Sequence, residues 1–169
     1  ISYRDFGFNV TVNNCCFTNS FTMKKINTFS GKTSKVLIAF TLVGLLSVQM
    51  LFGQSWYNTD WQYRVPVTIY NSGSELSDYQ VKVELGSSFD WNHTNADGSD
   101  IRFITADGTV MPYYFEAWNP LSSSALIWVK VPVVAAGTTT IFIYYGNEFA
   151  PTVESGDATF EFYDGFTGT

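Results

Sequence analysis

Short runs of alternating apolar and polar side chains, each closed by turn residues, set the terms for what this chain can fold into. Successive side chains of an extended strand point to opposite faces, so a two-residue rhythm marks a strand with one face buried and one wet. Val65, Val67 and Ile69 alternate with Arg64, Pro66, Thr68 and Tyr70 until Asn71-Ser72-Gly73 ends the run. Val81, Val83 and Leu85 alternate with Gln80, Lys82 and Glu84 before Gly86. Ala125, Ile127, Val129 and Val131 take one side of another run, with Leu126, Trp128 and Lys130 on the other. Further strands are predicted over 101–105, 110–118, 138–145 and 159–163. Pro66 has no N–H to donate, which places its strand at a sheet edge or a bulge. The 138–145 run is apolar on both faces and belongs at a sheet centre. With about seven or more short strands and no helical periodicity, the pattern predicts a single antiparallel β-sandwich, jelly-roll-like in type.

The residues ahead of this region read differently. Met23-Lys24-Lys25 opens a basic stretch that includes Lys32 and Lys35, and no charged residue follows until Asp60. Residues 36–48 are apolar apart from Thr41, Gly44 and Ser47. A basic segment, a short apolar segment and a small Gly53 before polar Gln54 form the pattern of a helical signal peptide over 23–53. A retained membrane anchor is the competing reading, since 36–52 sits at the lower limit of about 17 residues for a span. Leu51 is also larger than the residue usual three places before a cleavage site. Residues 1–22 precede the natural start and are expected to have no fold of their own. The β-domain is then assigned to 54–155, with 156–169 opening a truncated following domain.

Charge and cysteine usage narrow the function classes. From Gln54 onward, four basic residues (Arg64, Lys82, Arg102 and Lys130) stand against fourteen acids. A net of about −10 repels polyanions and argues against nucleic acid as a partner. Both cysteines, Cys15 and Cys16, lie upstream of Met23. The β-domain therefore has no disulfide, no thiolate metal site and no cysteine nucleophile.

A set of motifs in fixed order resembles the family known as domain of unknown function 2341. It runs from Asp60-Trp61-Gln62-Tyr63-Arg64-Val65-Pro66-Val67-Thr68-Ile69 through Asp78-Tyr79-Gln80-Val81 and Asp100-Ile101-Arg102-Phe103. It continues with Pro112-Tyr113-Tyr114-Phe115-Glu116-Ala117-Trp118-Asn119 and Trp128-Val129-Lys130-Val131-Pro132. Thr140-Ile141-Phe142-Ile143-Tyr144-Tyr145-Gly146-Asn147 closes it, so that the blocks span about residues 56–150. The resemblance implies a β-domain of exported and cell-surface proteins, often placed just ahead of a concanavalin A-like lectin or glucanase module. Phe160-Glu161-Phe162-Tyr163-Asp164-Gly165-Phe166 resembles the first strand of such a module. The family has no established activity, and no catalytic residue is carried over.

Candidate chemistry rests on a few residues. Flat aromatic faces stack on sugar rings while acids and amides fix hydroxyls. Trp91, in a polar loop, is the leading candidate, with Trp118, Tyr113 and Glu116 in the aromatic strand beyond it. Glu116 has a competing role as a strand carboxylate paired with Arg102 or Arg64. Trp56 and Trp61 are candidates for stapling down the start of the domain. Asp90, Asp97 and Asp100 supply hard oxygen ligands of the kind calcium takes, although the EF-hand pattern fails. The competing reading is a solvated loop built on an Asp-Gly turn, and no other cofactor is indicated. His93, the only histidine, reads as an exposed loop residue. The expectation is a non-catalytic, secreted or cell-surface module that meets the membrane only through its leader. Its partners are a glycan and an adjacent lectin-like domain. The alternatives are a structural spacer in an adhesin and an accessory part of a polysaccharide-degrading enzyme.

Overall fold

The computed structural model describes residues 8–13, 17–18 and 56–164, which fall in one compact unit. The leader expected over 23–53 lies outside the described residues. The strands are β1 (Phe8–Val12), β2 (Phe17–Thr18), β3 (Tyr63–Asn71), β4 (Leu76–Leu85), β5 (Arg102–Thr105), β6 (Val110–Met111), β7 (Tyr113–Asn119), β8 (Ser124–Val134) and β9 (Gly137–Tyr145). They form two antiparallel sheets, one in the order β1-β3-β9-β5-β6 with β2 also on β3, the other β4-β8-β7. The chain is a β-sandwich, as its alternation requires.

The rhythm of each strand sorts its side chains between core and surface. Val65, Val67 and Ile69 of β3 meet Val81, Val83 and Leu85 of β4, with Ile127, Val129 and Val131 of β8, in one buried cluster. Fully burying each such side chain stabilises the fold by about 1.5–3 kcal/mol. The strand apolar on both faces, β9, lies between β3 and β5. Ile141, Ile143 and Tyr145 join the main core, while Tyr144 joins a second cluster with Trp61, Ile104 and Ala150. Trp56 packs against that second cluster and donates its indole N–H to the Trp61 carbonyl at 2.8 Å. The two tryptophans therefore staple the start of the domain.

Several elements depart from the sequence pattern. The expected 110–118 strand is broken at Pro112, so β6 pairs with β5 in one sheet and β7 with β8 in the other. The alternation at 159–163 does not make a strand. A single helical turn, α1 (Gly156–Thr159), forms there because the Ser155 side chain caps it by accepting from the Ala158 N–H. Phe160 and Tyr163 beyond it stack with planes 10° apart, and both rings meet Tyr114 on the outer face of the smaller sheet. Residues 1–22, expected to have no fold, supply β1 along β3.

Candidate functional site

The start of β3, the end of β9 and the start of β5 adjoin by their pairing, as do the end of β4, the start of β8 and the end of β7 in the other sheet. The connections at residues 56–62, 86–101 and 146–151 thus gather at one end of the sandwich. Buried Asp100 ties them together. Its side-chain oxygens accept from the Asn95 N–H at 3.0 Å and the Gly146 N–H at 2.7 Å. Its carbonyl accepts the Trp61 indole N–H at 2.6 Å. Burial raises the Asp100 pKa against the opposing pull of those backbone donors. Arg102 lies under the same loops, with its guanidinium 5.0 Å from the centre of the Trp61 ring and bonded to the carbonyls of Ser99, Ile101 and Pro151.

Between the first and last of these connections lies a cleft of about 570 Å³. Two tight turns form its walls. In one, the Asn58 side chain accepts from the Asp60 N–H at 2.9 Å; in the other, the Asn147 side chain accepts from the Phe149 N–H at 3.1 Å. Gly146 begins the second turn at φ +86°, where a Cβ would run into the Tyr63 ring. The lining includes Trp61, Gln62, Glu148 and Phe149. Trp61 is 6% exposed, whereas the Phe149 ring is 85% exposed. Among the described residues, Asp60, Gln62 and Glu148 direct no side-chain atom to another protein group. An exposed ring, two carboxylates and an amide thus stand together, uncommitted, on a braced frame.

The residues picked out from sequence are distributed differently. Trp91 and Trp118 do meet, with ring centres 5.1 Å apart. Both are half-buried, and their indole N–H groups go to the carbonyls of Gly86 and Ala96 at 2.9 and 3.0 Å. Tyr113 is 1% exposed and donates to the Ile101 carbonyl at 2.7 Å. Glu116 accepts from the Trp128 indole at 2.6 Å, in place of the arginine partner expected for it. The four do not make one site.

The three aspartates are also held separately. Asp90 contacts His93 at 2.6 Å, and His93 is exposed as expected. Asp97 accepts from the Ser99 N–H at 3.0 Å, a bond that lowers its pKa. Asp100 is bound from both oxygens as above. Among the described residues no group of three or more His, Cys, Asp or Glu side chains is placed to hold a metal ion.

The cleft residues escaped sequence reading because their local signal is slight. Phe149 follows a Gly-Asn turn and looks like one more core aromatic, and Asn58, Asp60 and Gln62 look like ordinary loop polars. The useful sign is an aromatic directly beside Glu148 in a turn, where no strand rhythm explains it.

No curated protein and no solved structure matches this chain. Residues 97–169 match the model of a domain of unknown function (DUF2341), the same family that the sequence motifs resemble.

Proposed function

We propose that this chain is a non-catalytic module of an exported multidomain protein and that it binds a neutral glycan in the cleft between Asn58 and Phe149. The observation that carries the reading is the exposed Phe149 ring standing beside the free polar groups of Asp60, Gln62 and Glu148. A sugar ring offers an apolar C–H face and a rim of hydroxyls, and this arrangement supplies a complement to each. Tight turns fix the frame before a ligand arrives, which limits the ordering cost of binding. Export is supported by the basic and apolar pattern of residues 23–53. Expression in a bacterial host with the leader intact, followed by N-terminal sequencing of the secreted product, tests it; retention of the leader on the protein would count against cleavage.

Glycan-array screening of the whole chain, followed by calorimetry on the best oligosaccharide, tests the binding. Phe149→Ala is expected to weaken it at least tenfold while the melting temperature stays within a degree or two, because the ring is exposed. Binding that survives Phe149→Ala would remove the cleft from the proposal. A spacer role is the second reading. It is favoured by the way Ser155 and the following turn are tied to the smaller sheet, the Ser155 N–H donating to the Tyr113 carbonyl at 2.9 Å and Gln80 to the Thr159 carbonyl at 3.0 Å. A chain that binds no glycan on the array would leave that reading standing.

A further inference from the structure

An unpaired strand edge is a row of free N–H and C=O groups, and proteins ordinarily blunt it. Among the described residues the sandwich has four edges, and three are managed. β6 is only two residues long. β4 is interrupted at Asp78, whose φ of 49° takes it out of the ladder to β8, and carries Lys82 and Glu84 outward as an ion pair at 2.9 Å. β7 is bulged between Phe115 and Ala117 and tied by the Ser155 N–H. The fourth is β1, and beneath it β3, the edge that would be bare without β1 and β2, pairs with β9 without a bulge along its whole length. Only Pro66 interrupts its outer row.

That row is occupied by β1. The Asn13 N–H donates to the Pro66 carbonyl at 3.0 Å, so the even-numbered residues of β3 direct their backbone groups outward. Thr68 and Tyr70 offer both a donor and an acceptor, while Pro66 offers an acceptor alone. β1 runs from Phe8 opposite Asn71 to Val12 opposite Val67, and stops short of the proline. Its alternate residues Phe8, Val10 and Val12 pack on the main core, and the Phe8 ring lies 5.2 Å from that of Tyr79. Asn9 and Thr11 face water.

We infer that the β3 edge over residues 67–71 is a strand-acceptor site, and that it takes an extended peptide with apolar residues at every second position. β1 shows the fit: the ladder supplies affinity and the alternate apolar positions supply selectivity, while Pro66, which has no N–H to donate, marks the break between β1 and β2 along the row. Translation from Met23, or cleavage of the proposed leader after Gly53, removes β1 and leaves this edge open on the mature domain. An added strand from another polypeptide then restores what β1 provides here.

The test uses the whole chain with a site-specific protease sequence inserted between residues 19 and 56, cut after folding. A fluorescent peptide of residues 8–13 is titrated against the cut protein and followed by anisotropy. Saturable binding is expected, weakened at least tenfold by Val10→Asp in the peptide and by Thr68→Pro in the chain. Absence of binding to the cut, folded protein overturns the inference, as does equal binding of the Val10→Asp peptide. If Thr68→Pro does not fold, hydrogen exchange of the unmodified cut chain replaces it. The Thr68 and Tyr70 amides are then expected to lose protection when the cut strand is washed out and to regain it with the peptide. Amides that stay unprotected with peptide present overturn the inference equally. The glycan reading is unaffected by either result.

Discussion

Tyr113 shows how one side chain serves the core while carrying a polar end. Its ring is fully enclosed, and its hydroxyl is satisfied by the Ile101 carbonyl at 2.7 Å. Burial pushes its pKa from 10.0 up to about 12, with Arg102 pulling the other way. The folded form therefore holds its proton where the unfolded chain has lost it. Its contribution to stability is complete below pH 10 and is lost as the pH rises towards about 12. Tyr113→Phe is expected to lower stability by about 0.5–1.5 kcal/mol at pH 8 through the lost hydrogen bond. Between pH 10 and 11.5 the variant is expected to lose less stability than the parent, as read from urea melts across that range. Equal losses in the two proteins would mean that the hydroxyl titrates freely. From sequence, Tyr113 read as a ligand-facing aromatic because residue type alone cannot say which face of β7 points inward. Pro112 resets that phase by ending β6, and a one-residue shift turns every side chain over.

At the scale of elements, turns determine how the binding end is built. Gly146 sits at φ +86°, with the Tyr63 ring where a Cβ would go and its N–H bound to Asp100. Gly108 has a similar φ of +94° but open space around it, and Gly86 has neither constraint. These three separate conformational strain from steric overlap. Gly86→Ala is expected to be near neutral, and Gly108→Ala to cost about 1 kcal/mol from the left-handed backbone alone. Gly146→Ala is expected to exceed both, at about 2–4 kcal/mol, and to weaken glycan binding by moving the turn that carries Phe149. Thermal melts of the three variants check the order, and a Gly146→Ala protein as stable as Gly108→Ala would contradict the close approach of Tyr63. Most strands were legible because alternation records burial directly, as in β3, β4 and β8. The α1 turn was not, because a Ser cap and a Gly that admits the Tyr163 ring leave almost no periodic trace.

For the whole molecule, the sheet order and the meeting of distant loops are what local pattern leaves open. β3 and β9 are sequence-distant neighbours, and the cleft exists only because their pairing brings residues 58–62 against 146–151. Charge, by contrast, is additive and legible from composition. From Gln54 onward the chain carries about −10, with its arginines there engaged: Arg64 packs over the Trp56 and Phe142 rings, and Arg102 is buried beneath the loops. Such a field disfavours polyanions at a distance and is screened within about 10 Å at 0.1 M salt. A neutral sugar feels neither effect, since stacking and hydrogen bonds to exposed groups act at contact. Affinity for a neutral oligosaccharide is therefore expected to change less than twofold between about 0.05 and 0.5 M salt. Heparin and DNA are expected not to bind even at the lower value, where counterion release would favour a basic site most. Calorimetry for the sugar and gel shift for the polyanions check both arms. A steep fall in sugar affinity with salt would contradict contact by stacking and hydrogen bonds alone, and would overturn the neutral-glycan reading of the cleft.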